Sequence, residues 1–184
     1  TFGVSDPMPE VDVEMATAVQ HAVDTLRRAG IVVRSVDIAG LLKNLDSATN
    51  DVAFYEAARF HEQRWKEHGS KLLELADLVE KGLKMPVEQY ERAQREIREA
   101  QSRFRELYQT TQIILVPAAT GLAPRGLSNT GDPRMNAPWT GLGTPAVSIP
   151  LPVSGLPLGL QLTADRGQDA RVLHAALRLY RVLT

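Results

Sequence analysis

The sequence predicts an α/β domain, and three observations carry that expectation. A short apolar run, "FGV", is followed by an amphipathic stretch and then by the β-branched "IVVRSVDI" (31–38). Strand, helix and strand in such quick succession are the mark of a parallel pair joined by a crossover helix. "IILVP" (113–117) reads as a buried strand ended by proline, and "PAVSIP" and "LGLQLTAD" add two more, giving about five strands with helices between them.

In chain order, Met15, Val19, Ala22, Val23 and Leu26 share one face of a helix from about Asp12 to Ala29. Asp12 suits the N-cap and Gly30 the C-terminal stop. Residues 41–79 are mostly helical, with Gly69 as a break. Pro86 opens the longest helix, "PVEQYERAQREIREAQSRFRELY", with a core stripe of Tyr90, Ala93, Ile97, Phe104 and Leu107 or Tyr108. A loop rich in Gly, Pro, Asn and Asp follows "IILVP" from Ala118 to about Asn136. "LPVSGLP" joins the last two strands through a Ser154-Gly155 turn. "QDARVLHAALRLYRVL" closes the chain as an amphipathic helix, with Val172, Leu173, Ala176, Leu179 and Tyr180 expected inward. The 184 residues read as a single domain. A strand so near the first residue, without a lead-in, reads as a chain cut from something longer.

Composition narrows the function. Hydrophobic residues make up 43% and charged residues 23%, with a net charge of −1 and both signs interspersed. Such a balance offers no footprint for nucleic acid or an anionic membrane. No apolar run reaches the length of a membrane span. The absence of cysteine removes disulfides, thiolate metal sites and thiol nucleophiles, and fits a reducing, cytoplasmic compartment.

Several motifs fail on inspection. "HEQRW" starts like the zinc-protease helix, but Trp65 stands where the second histidine is required, and His61 and His68 have no third ligand. "GLGTPA" (141–146) has the letters of a dinucleotide fingerprint, yet a strand follows it where a helix should begin, so neither a cofactor nor a metal is expected. "GLSNTG" offers Ser128 without the nucleophile-elbow spacing, and His21, His61, His68 and His174 all fall on helices. The five arginines along 86–108 are interleaved with glutamates in favourable i,i+4 order, as on a solvated face. What remains is the loop 118–144, where Arg125, Asn129, Asp132, Arg134, Asn136 and Trp139 sit on backbone stiffened by Gly and Pro. It either receives a ligand at the end of a strand or is a surface crossover whose tryptophan covers the core.

The stretch "GDPRMNAPWTGLGTPAVSIPLPVSGLPLGLQLTADRGQDARVLHAAL" resembles the C-terminal end of the amidase signature family. There a proline-tryptophan or asparagine stretch leads into "LxGxPAxSxP", a turn, "GLPxGLQLxG" and a helix. "YERAQREIREAQSRFRELYQTTQIILVPA" resembles the family's preceding helix and strand, with Gln112 at a usual aspartate. "EVDVEMATAVQHAVDTLRRAGIVVRSVDI" resembles the segment just after the catalytic half. The resemblance implies the C-terminal part of a mixed-sheet amidase fold and amide C–N hydrolysis by a Ser–cis-Ser–Lys arrangement. The family's "GGSSGGS"-type stretch is missing, and Lys43, Lys66, Lys71, Lys81 and Lys84 all lie in or beside helical segments rather than at a strand end. The expectation is therefore a C-terminal segment lacking the catalytic half, with no catalytic residue of its own and inactive alone.

By the same resemblance Asp132, Asn136 and Trp139 would border the pocket for a small-molecule amide substrate, Asp132 as the group nearest a substrate amine. A homodimer or swapped assembly is expected from strand edges left open. Two alternatives stand beside this reading: a non-catalytic binding or scaffold module that keeps the fold, and a small self-contained serine hydrolase using Ser128.

Overall fold

The computed structural model describes residues 1–5, 8, 10–42 and 45–184. Its five strands form one sheet in the order β2-β1-β3-β5-β4. β1 (Phe2–Ser5), α1 (Val13–Arg28) and β2 (Val33–Val36) form the expected crossover unit, β1 pairing parallel with β2 on one side and with β3 (Ile113–Pro117) on the other. β5 (Gly159–Thr163) then runs antiparallel to both β3 and β4 (Ala146–Pro150), which makes the sheet mixed. β2 and β4 are the edge strands. The expected α/β class and the parallel pairing of β1 with β2 are present.

Every residue of β3 is buried. A central strand covered on both faces needs apolar side chains on both, which explains the unbroken "IILVP". Ile113 and Leu115 point to the layer formed by α1 and α7 (Asp169–Leu183), with Met15, Leu26 and Leu179. Ile114 and Val116 point to the opposite layer, with Phe104, Tyr108, Trp139 and Leu142. Each such aliphatic side chain contributes about 1.5–3 kcal/mol on burial.

The helical middle of the chain comprises α2 (Ala39–Leu42), α3 (Leu45–His68), a 3-10 turn at Gly69–Leu72, α4 (Glu74–Lys84) and α5 (Val87–Thr110). Gly69 breaks the helix as expected, with φ at 53°. α3 and α5 are equally long at 24 residues. Aromatic contacts tie them together: Tyr55 stacks on Tyr90 at 4.2 Å, and the Arg59 guanidinium lies 3.1 Å above the Tyr55 ring. Tyr90 donates its hydroxyl proton to Glu56 at 2.8 Å. Of the expected α5 stripe, Ala93, Phe104 and Tyr108 are buried and Ala100 joins them, while Tyr90, Ile97 and Leu107 are half-buried at its margins.

Two expectations change. The glycine- and proline-rich stretch after β3 is not all loop, because Pro133–Met135 form a 3-10 turn and α6 spans Ala137–Leu142. Pro138 occupies the first turn, where its missing N–H costs nothing, and Gly143 ends the helix at φ 66° in the left-handed region. That is the usual proline-in, glycine-out punctuation of a helix, here compressed into six residues. On α7, Val172, Ala175, Ala176, Leu179 and Leu183 face inward, whereas Leu173 and Tyr180 are exposed. α7 carries apolar residues around most of its circumference, so periodicity alone does not choose between faces. Among the described residues no helix is long and apolar enough to cross a membrane.

The sheet also holds a buried hydroxyl chain. Tyr108 Oη lies 3.1 Å from Thr163 Oγ1, which donates to Thr144 Oγ1 at 3.3 Å. Burial pushes the Tyr108 phenol well above its ordinary range, so folding favours the neutral form. The folded pKa is the raised one. Its stabilising contribution is therefore complete below about pH 10, the unfolded value, and is lost as pH rises beyond it. Tyr108→Phe should cost about 1 kcal/mol at neutral pH and flatten the alkaline fall in stability. Urea titrations across that pH range check both effects, and an unchanged alkaline slope would refute the assignment.

Candidate functional site

The parallel pair β1 and β3 sends its C-terminal ends to one edge of the sheet. β4 ends and β5 begins at the same edge, because Pro150 pairs with Gly159 and Pro117 with Leu160. The loop 118–136 leaves β3 there, and the ends of parallel strands are where α/β folds gather ligand contacts.

Backbone and side-chain bonds hold this loop to the body. The Thr120 carbonyl accepts from the Asp12 amide at 2.7 Å, beside the start of α1. Asp12 takes the N-cap backbone position, although its carboxylate makes no capping bond. Gln161, 4% exposed between Leu160 and Leu162, donates through Nε2 to the Met135 carbonyl at 3.1 Å. Gln101 on α5 donates to the carbonyls of Gly141 and Leu142, both at 3.3 Å, satisfying the end of α6. Sequence reasoning passed over both glutamines. For Gln161 the signal was a polar residue inside an otherwise apolar strand, which demands a buried partner.

The three residues singled out from sequence occupy different environments. Asp132 is exposed. Its Oδ1 accepts from the Arg134 amide at 3.0 Å, and its Oδ2 pairs with Arg134 Nε at 2.8 Å. The Arg134 amide, then its guanidinium, hold the Asp132 carboxyl below the usual carboxylate range. Asn136 is also exposed and donates through Nδ2 to the Ala118 carbonyl at 3.4 Å, closing the loop's two ends. Trp139 is only 3% exposed, with its ring edge-on to Phe104 at 5.6 Å. Asp132 and Asn136 therefore share the loop's polar surface, and the Trp139 ring lies behind it in the core.

Ser128 is exposed in the same loop, and among the described residues no hydrogen bond joins it to a histidine. His21, His61, His68 and His174 all lie on helices, as expected. Lys66 lies on α3, Lys71 in the 3-10 turn, and Lys81 and Lys84 on α4; Lys43 is outside the described residues.

A mixed five-stranded sheet layered by helices, with a pinned polar loop at its strand ends, defines an α/β domain with a candidate site at the strand ends. The chain belongs to the amidase family, whose model matches residues 1–173. Solved structures with the same fold include an amidase, 24% identical over 100% of this chain and 45% of its own, at a TM-score of 0.88. A bacterial aryl acylamidase of the amidase signature family is 16% identical over 98% of this chain and 43% of its own, at 0.77. An allophanate hydrolase from Kluyveromyces lactis is 15% identical over 99% of this chain and 32% of its own, at 0.79. The chain thus spans less than half the length of these structures. Comparison with curated proteins returns no match.

Proposed function

We propose that this chain forms one wall of the substrate pocket of an enzyme that hydrolyses carboxylic amide C–N bonds, its Ser–cis-Ser–Lys triad lying outside these 184 residues. The family match along residues 1–173 carries this reading. The positions of Lys66, Lys71, Lys81 and Lys84, on or beside helices, support placing the base elsewhere.

In that reaction a serine oxygen attacks the carbonyl carbon and its proton passes through the second serine to a neutral lysine. The C–N bond breaks, the amine leaves with that proton, and water cleaves the acyl-serine to the carboxylate. This chain's part is to shape and polarise the wall. Asp132 and Asn136 supply polar contacts to a small amide substrate, and Trp139 acts as a positioning residue by fixing α6 beneath them.

The purified 184-residue chain is expected to show no turnover of simple aliphatic or aryl amides above the uncatalysed rate. Turnover abolished by Ser128→Ala would move the nucleophile into this chain and reverse the proposal.

A further inference from the structure

β2 is an edge strand of the five-stranded sheet, and hydrogen-bond directions settle which of its residues face outward. The Ala118 amide donates to the Gly159 carbonyl on β5, and the Ile113 amide to the Thr1 carbonyl on the β1 side. Backbone groups of successive strand residues point to alternate sides, so Ile113 and Leu115 serve β1, while Thr1 and Gly3 serve β3. Phe2 and Val4 therefore bond β2. Their register partners are Val33 and Ser35, and in a parallel pair a residue bonds the two neighbours of its partner. The backbone groups of Val33 and Ser35 consequently point away from β1, along the outer edge of the sheet.

One of these outward groups is already taken. Arg27, in the last turn of α1, donates Nε at 3.3 Å and Nη2 at 3.2 Å to the Val33 carbonyl. Gly30, at φ 79°, turns the chain back with the Ile31 amide bonded to the Leu26 carbonyl, which brings β2 beside the guanidinium. Asp24 Oδ1 lies 3.7 Å from Arg27 Nη1 and steers it from the same helix. Among the described residues no other arginine donates to the backbone of a strand. The contact joins residues six apart in sequence, so the β1–α1–β2 unit makes it by itself.

We propose that Arg27 guards the β2 edge against a second copy of this chain, which would otherwise add its own β2 as a further strand. A strand joining that edge must use Val33 and Ser35. A carbonyl that already accepts two guanidinium N–H bonds has neither room nor a lone pair for an incoming amide. Val32 is 62% exposed beside it, and identical β-branched edges pair readily with one another, so this edge is one that needs a guard. The association expected from open strand edges does not start at β2.

Sedimentation equilibrium on the 184-residue chain tests this. Arg27→Met keeps an aliphatic stem and removes the donors, and it should raise self-association about tenfold or more. Ser35→Pro added to it should restore the native value, because proline there deletes an outward N–H and no bond to β1. Arg28→Met changes the net charge equally and should leave association as it is. In the associated Arg27→Met chain the Ser35 amide should also become protected from hydrogen exchange. Unchanged association overturns the proposal, and so does a rise that survives Ser35→Pro, is matched by Arg28→Met or leaves the Ser35 amide unprotected.

Discussion

Replacing Trp139 with alanine is expected to destabilise the chain by about 3–5 kcal/mol, the range for emptying a large aromatic site in a core. The indole is 3% exposed and sits against Phe104 in the layer that also holds Ile114, Val116 and Leu142. α6 is only six residues long and cannot persist on its own hydrogen bonds. Its hold on the body rests on Trp139 and Leu142 inside, and on Gln101 at its C-terminal carbonyls. Trp139→Phe retains an aromatic edge and should recover a substantial part of the loss. Urea unfolding followed by circular dichroism gives both values. A loss below about 1 kcal/mol for alanine would show that the ring is not a core element.

The second large effect is expected at Gly82, inside α4. Propensity alone favours Gly82→Ala by about 0.5–1 kcal/mol, because glycine in a helix has more freedom to lose. Packing opposes this. A Cβ at Gly82 would collide with the Phe54 backbone carbonyl and lie 2.5 Å from Ala58 Cβ, so α3 and α4 would have to separate. Overpacking of this kind costs about 1–3 kcal/mol, and the obstructing atom is backbone, which cannot rotate away. The same separation strains the Arg59 bond to the Gly82 carbonyl, 3.2 Å long. A net destabilisation is the expected result, and a rise in melting temperature would show that the two helices are free to move apart.

Much of the fold was legible because its elements are set by local rules. "IVVRSVDI" is rich in β-branched residues that favour a strand even at the sheet edge, and "IILVP" is wholly apolar, as a central strand covered on both faces requires. Gly69 and Pro86 stop and start helices through backbone geometry that other residues do not share. The candidate loop was legible as a place, since polar side chains on stiff backbone after a buried strand seldom belong to a core. Its internal division was not. Asp132 and Trp139 are close in sequence, yet one pairs with Arg134 at the surface and the other fills the core. That separation depends on α6, whose six residues are too few for a periodic signal.

The last helix makes the same point. Leu173 and Tyr180 read as core residues, but they are exposed because the sheet takes the neighbouring face with Val172, Ala176 and Leu179. The choice depends on where β4 and β5 lie beneath the helix, and that is a long-range fact.

The sequence by itself determined the α/β class, the parallel β1–α1–β2 unit, the buried central strand and, through the Gly- and Pro-rich stretch 131–165, the amidase resemblance. Each rests on residues whose preference is intrinsic or whose neighbours are close along the chain. Only the tertiary structure decided which side of α7 is buried, which member of the candidate loop supports it from behind, and which polar groups pin it. Those outcomes depend on contacts between segments distant in sequence, such as Gln161 with Met135, Gln101 with Leu142 and Phe104 with Trp139. A buried polar or aromatic group is settled by the partner that folding brings to it.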